Sequence, residues 1–139
     1  TFYYHFREKD DLLVENLRPL ITALAELAVS PEPTPEARYW VAHLWEHRAQ
    51  ARRLFTNSIA RKLHQALTDG VQARLASSPG DKAASMVAHQ VAGSMAGLIQ
   101  AWVAGRVSGG SEDMVRRLWR GARALVASTL GEDLPAQAG

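Results

Sequence analysis

The sequence contains no cysteine, which removes disulfide frameworks, thiolate nucleophiles and cysteine-based zinc sites together. Lysine is scarce as well: only 3 of the 16 basic residues are Lys, so the positive groups favour fixed, forked contacts over loose solvation. An excess of one charge is lacking, since 16 basic against 14 acidic residues leave +2, too mild to require a nucleic-acid partner by itself. Thr1 to Leu13 has no continuous apolar core, so no secretory signal is read there and the expected location is cytoplasmic. No repeat of fixed period, no G-x-S-x-G, no phosphate-cradling glycine loop and no close pair of acids on a shared apolar face is present. Neither an enzyme nor a bound cofactor is therefore expected. What remains, 139 residues of which 47% are apolar and 22% charged, is ordinary for a folded domain.

Four turn-rich stretches divide the chain: Ser30 to Pro35, Ser77 to Asp81, Ser108 to Ser111, and the tail from Gly131. Between them lie runs of Ala, Leu and Arg with little β-branched alternation, which predict an all-α protein of about six helices. From Lys9 to about Val29, Leu13, Leu17, Leu20, Ile21, Leu24 and Leu27 recur at spacings of three and four, with Pro19 expected to kink the helix. Thr34-Pro35-Glu36 reads as a helix cap, a proline in the first turn and a first-turn acid. The pattern then stays helical to about Ala76, with a break expected near Arg53 to Asn57. Asp81 should cap the next helix, and Ser111-Glu112-Asp113 should open the last one, which Gly131 is expected to stop.

The segment Ala83 to Gly105 carries no formal charge over 23 residues. Ser85, His89, Gln90, Ser94 and Gln100 are too polar for a membrane span, so a helix buried on several sides is expected and no membrane partner. Val91, Met95, Leu98 and Trp102 form one face, and Gln90, Gly93, Gly97, Ala101 and Ala104 a second, small-residue face. In the last helix, Met114, Val115, Leu118, Trp119, Ala122, Leu125, Val126 and Leu130 cover an arc wider than the roughly 100° needed against one core. Arg116, Arg117, Arg120 and Arg123 read as the solvated side. The two helices are thus expected to pack against their copies in a homodimeric four-helix bundle. The expected interface comprises Gly97, Ala101, Val115, Leu118, Trp119, Ala122, Leu125 and Val126.

His43-Leu44-Trp45-Glu46-His47 matches the H-x-x-E-H of some zinc peptidases, with two imidazoles one helical turn apart and an acid between them. That chemistry needs a further ligand from another helix, for which Glu112 and Asp113 are better explained as first-turn acids. A zinc-dependent hydrolase is therefore an alternative reading, and no metal is expected; the histidines read as the amphipathic edge of the stripe Trp40, Val41, Leu44 and Trp45.

The most specific string is the opening one, Thr1-Phe2-Tyr3-Tyr4-His5-Phe6-Arg7-Glu8-Lys9-Asp10-Asp11-Leu12-Leu13. It resembles the end of the DNA-binding domain in the tetracycline-repressor (TetR) family of transcriptional regulators. There a recognition helix closes in a T-x-Y-x-H-F-like pattern before a lysine, two acids and the leucines of a connecting helix. The resemblance implies that Thr1 and Tyr4 face the groove, that Tyr3 and His5 touch phosphates, and that Lys9 contacts phosphate from the start of the connecting helix. Glu8 departs from the family's usual serine-like cap. By the same resemblance, 1–8 is the remnant of a helix-turn-helix domain, and the cut before Thr1 falls inside its recognition helix. Residues 9–139 would then be an effector-binding and dimerisation domain, to which the stretch Ala92 to Val103 and the Arg-rich last helix are also similar.

The expected function is a ligand-responsive transcriptional regulator, a repressor released from operator DNA by a small, largely apolar effector. A non-catalytic helical dimerisation or adaptor domain without ligand is the other alternative. Trp40, Leu44, Phe55, Met86 and Met95 are expected to line the effector pocket, with His43, His47, His64 and His89 as polar anchors. In a chain carrying the complete DNA-binding head, Tyr3→Phe combined with Lys9→Ala should abolish salt-sensitive operator binding in a gel-shift titration, and unchanged affinity would refute those contacts.

Overall fold

The structure, a computed structural model, describes residues 11–78 and 80–132. A helical stretch over 11–16 leads through a turn at Leu17 into α1 (Arg18–Val29). Then come α2 (Pro35–Glu46), α3 (Arg48–Leu54), α4 (Asn57–Leu75), α5 (Lys82–Val103) and α6 (Ser111–Glu132). No strand occurs among the described residues, so the all-α expectation holds.

Pro19 does more than bend a continuous helix. With no N–H to donate, it cannot extend the ladder from the preceding turn, and the chain stops and restarts. The Leu17 N–H is shared between the carbonyls of Leu13 and Val14, both at 3.1 Å, and Pro19 enters the first turn of α1, where no donor is needed. Glu15 and Arg18 bridge the break at 2.9 Å, and this hydrogen-bonded pairing holds the Glu15 carboxyl below its ordinary range.

The other boundaries follow local chemistry. Thr34 Oγ1 accepts from the Ala37 N–H at 3.2 Å, with Pro35 as the first helical residue. Thr56 does the same for Ile59 at 3.2 Å, restarting the helix within the expected break region, and a further interruption falls at His47. Asp81 Oδ1 accepts from Ala84 at 3.1 Å, while its Oδ2 takes the N–H and hydroxyl of Ser77. At the end of α5, Gly105 lies at φ +82 and the Arg106 N–H returns to Ala101 O at 2.8 Å, with Gly105 N–H on Trp102 O. This is a Schellman closure, which requires the left-handed residue that glycine supplies. Gly131 does not stop α6, which continues to Glu132; a single glycine costs a helix only about 1 kcal/mol.

α5 is the central element, packed between α4 and α6. α1 lies against α4, α2 and α6, and α2 also rests on α6. Leu24 and Leu27 of α1, Val41 of α2, Leu63, Leu67 and Val71 of α4, and Val91, Met95, Ile99 and Trp102 of α5 form the buried core. α1 and α4 approach closely at Gly70, where an added Cβ would stand 3.1 Å from Ala25 Cβ. The Ser30 carbonyl, at the end of α1, receives both the Trp119 indole N–H at 2.9 Å and Arg123 at 3.4 Å.

The backbone N–H groups of Ala84 and Ser77 hold the Asp81 carboxyl below its ordinary range. Since an unfolded aspartate titrates near about 3.9, the stabilisation from this cap is complete above about pH 4 and is lost as pH falls through the depressed folded value. Thermal melts across that range should show the loss, and Asp81→Asn, which keeps an accepting oxygen, should reduce the pH dependence while retaining most of the neutral-pH stability.

Candidate functional site

The residues expected to touch DNA, Thr1, Tyr3, Tyr4, His5 and Lys9, lie outside the described residues. The nearest described element, the 11–16 stretch, is tied to α4 by Lys62 Nζ and Asp11 Oδ1 at 2.7 Å. Behind it lies a small apolar cleft of about 120 Å³, lined by Leu13, Asn16, Leu17, Ala51, Leu54, Phe55 and Ile59. The cleft therefore sits under the break that Pro19 creates.

The nine expected ligand residues do not converge on one cavity. Leu44 and Met95 are core residues, 6% and 0% exposed. Met86, by contrast, is 68% exposed, because nine residues of helix separate it from Met95 by half a turn of phase and put the two on opposite sides of α5. His43, His47 and His89 stand exposed at the surface, the last with Nδ1 on the Ser85 carbonyl at 2.8 Å. Trp40 is half-buried beside an open depression with Arg18, Pro19, Thr22 and Glu36, and Phe55 lines the cleft at the Leu17 break. The nine thus occupy separate positions around the core.

His64 is the exception among them. Its Nε2 is buried with no hydrogen-bond partner among the described residues, and it faces Gly93 of α5, where an added Cβ would be 3.7 Å away. A buried nitrogen without a partner carries a desolvation penalty that a ligand's hydrogen-bonding group would relieve.

The residues of the expected dimer face are divided between the core and the surface. Val115, Leu118 and Ala122 are 2%, 3% and 0% exposed within the chain, so they belong to its own core. Trp119 is half-buried and its N–H is spent on Ser30, while Leu125 and Val126 are half-buried against the core. Gly97 stays exposed and Ala101 half-exposed. With them on the outer side of α5 lie Met86, Gln90, Gly93, Ser94 and Ala104, all exposed and all without formal charge. Next to this side, Leu98 of α5 meets Gly121 of α6 in an open groove of about 850 Å³, whose other walls include Val107, Gly109, Arg117 and Arg120. Gly121 and Ala124 were not anticipated; the available signal was the small residues Gly121, Ala124 and Ser128 at helical spacing, all exposed, beside the apolar arc.

His43, Glu46 and His47 do come together, each offering a ligand atom within 4.8 Å of the others. Among the described residues no carboxylate from another helix joins them. Glu112 instead lies 3.9 Å from Arg38, and Asp113 pairs with Arg116 at 3.2 Å. The zinc-peptidase arrangement, two histidines and a remote acid around a metal with the motif glutamate left free as base, is not assembled here.

Comparison with protein-family models, with curated proteins and with solved structures found no match. Among the described residues no helix is long and apolar enough to cross a membrane.

His64→Leu removes the unpartnered nitrogen and keeps an apolar side chain against Gly93. Urea denaturation should show no loss of stability and a gain of up to about 1 kcal/mol; a loss of about 2 kcal/mol would mean the imidazole is satisfied in solution.

Proposed function

We propose that this chain is the sensing and dimerising part of a ligand-responsive, DNA-binding transcriptional repressor of the TetR kind, acting without catalysis. One observation carries the reading: beyond Lys82 in its first turn, the exposed side of helix α5 bears no formal charge over 83–103, and it adjoins the small residues of α6. A solvated helix face normally carries charged residues, and an uncharged, small-residue face suits close approach of another helix. Two copies of α5 and α6 related by a two-fold axis make a four-helix bundle, with Gly97, Ala101, Gly121 and Ala124 in place of the residues committed to the core.

The break at Leu17 supports the coupling half of the proposal. The cleft beneath it is smaller than the roughly 300–1,000 Å³ of a drug-sized site, so an apolar effector must displace the 11–16 stretch to fit. Displacement there swings whatever precedes it, and paired recognition helices must keep a spacing of about 34–36 Å to reach successive major grooves. The effector shifts that equilibrium only by its differential affinity, typically about 1–3 kcal/mol. A second reading, a dimerising adaptor without ligand, is favoured by the filled core of the middle helices.

Light scattering on the dilute chain should return about twice its 15.2 kDa mass, and Gly97→Arg should shift it to monomer; a wild-type monomer would sink the dimer. Thermal shift with a panel of apolar small molecules separates the two readings. An effector at a hundred times its dissociation constant stabilises by about 2.7 kcal/mol, whereas the adaptor shows no shift.

A further inference from the structure

We propose that His43, Glu46 and His47 form a surface site for one divalent transition-metal ion of the zinc, copper and nickel group. The inference is independent of the regulatory reading, and it goes beyond the motif, for which no metal was expected because no further ligand from another helix was available.

The three residues occupy positions i, i+3 and i+4 at the end of α2, so all three project from one side of the last turn. The His43 and His47 ring centroids are 4.4 Å apart at a tilt of 40°, and one donor atom from each of the three residues falls within 4.8 Å of the others. Bonds of about 2.0–2.2 Å to a tetrahedral ion require donors about 3.3 Å apart. Closing that difference takes side-chain rotation, for which the three exposed residues have room.

A second observation concerns the protonation of the ligands. His47 Nδ1 lies 2.9 Å from the backbone carbonyl oxygen of His43. A carbonyl only accepts, so Nδ1 carries the proton and, in the neutral ring, Nε2 presents its lone pair outward. Metal-binding histidines are commonly oriented in this way, by a hydrogen bond from the ring nitrogen that does not bind the ion. The His43 ring is itself held nearly parallel to that of Tyr39, at 6.1 Å and 9°.

The electrostatics agree. α2 ends here, and the partial negative charge of a helix C-terminus favours a cation. Glu46 forms no ion pair among the described residues. The adjacent cation, Arg48, is engaged elsewhere, donating to the Trp45 carbonyl at 2.9 Å with its guanidinium 4.3 Å above the Trp45 ring. Two imidazoles and one carboxylate suit zinc, copper or nickel over magnesium or calcium, which prefer all-oxygen shells. Three protein donors leave a position for water or for a donor from another molecule. The ion would pin the last turn of α2 at its junction with α3.

Zinc titration of the tag-free chain against a chromophoric chelator tests the proposal. Expected are one ion per chain, no competition from millimolar magnesium, and a zinc-dependent rise in melting temperature. His43→Ala and His47→Ala should each weaken binding at least about tenfold, since even the loss of an outer-shell partner costs 10–100-fold; Glu46→Gln should weaken it less. Metal-free melts of the variants, whose altered side chains are all exposed, report whether each remains folded. Absence of zinc binding by the wild type, or unchanged binding by the folded His43→Ala/His47→Ala double variant, overturns it.

Discussion

An indole buried away from water must find an acceptor for its N–H, and much of this fold is arranged around how Trp102 does so. The side chain is fully buried, and its Nε1 donates to the Gly109 carbonyl at 2.9 Å, in the loop that follows its own helix. The loop must therefore turn back sharply, which the Schellman closure at Gly105 and the φ of +146 at Gly109 allow. α6 then runs along α5 and completes the core with Met114, Val115, Leu118 and Ala122. The other face of the Trp102 environment is Trp45 of α2, stacked at 4.3 Å and 12°, with Arg48 over its far side. A single side chain thus links α2, α5 and the loop that directs α6.

Features determined by neighbouring residues were legible in the sequence. Thr34-Pro35 and Asp81 announce helix boundaries because capping is satisfied within a few residues, whereas the left-handed closure at Gly105 was not anticipated. The break at Leu17 was legible only as a disturbance, since Pro19 both interrupts one helix and suits the first turn of the next. The candidate sites were harder to read because they depend on what lies opposite. The apolar arc of α6 does not reveal whether its partner is another chain or its own: α1, α2 and α5 already cover Val115, Leu118 and Ala122. The separation of Met86 from Met95 has a different cause. Both are adaptable apolar residues, but their helical phase places them on opposite sides, which counting along the helix would have revealed.

Charge placement follows the same division of labour. The four arginines of α6 are all exposed, as a solvated side would be, but they differ in their neighbours: Arg116 pairs with Asp113, Arg123 reaches the end of α1 and lies over Trp119, and Arg117 and Arg120 border the groove beside α5. Guanidinium groups at the rim of an uncharged surface allow an apolar centre to be covered while the perimeter stays hydrated.

Arg52 joins the short helix α3 to the end of α5, its Nε donating to the Val103 carbonyl beside Gly105. α3 contains no buried residue. Its attachment is therefore largely polar and peripheral, while the helices on either side of it in sequence, α2 and α4, carry core residues. With Ala51 alone of its residues packed against the core, its amides belong toward the fast end of the hydrogen-exchange hierarchy. The segment also supplies Ala51 and Leu54 to the cleft under the Leu17 break, so one wall of that cleft is built from a helix with no buried residue of its own.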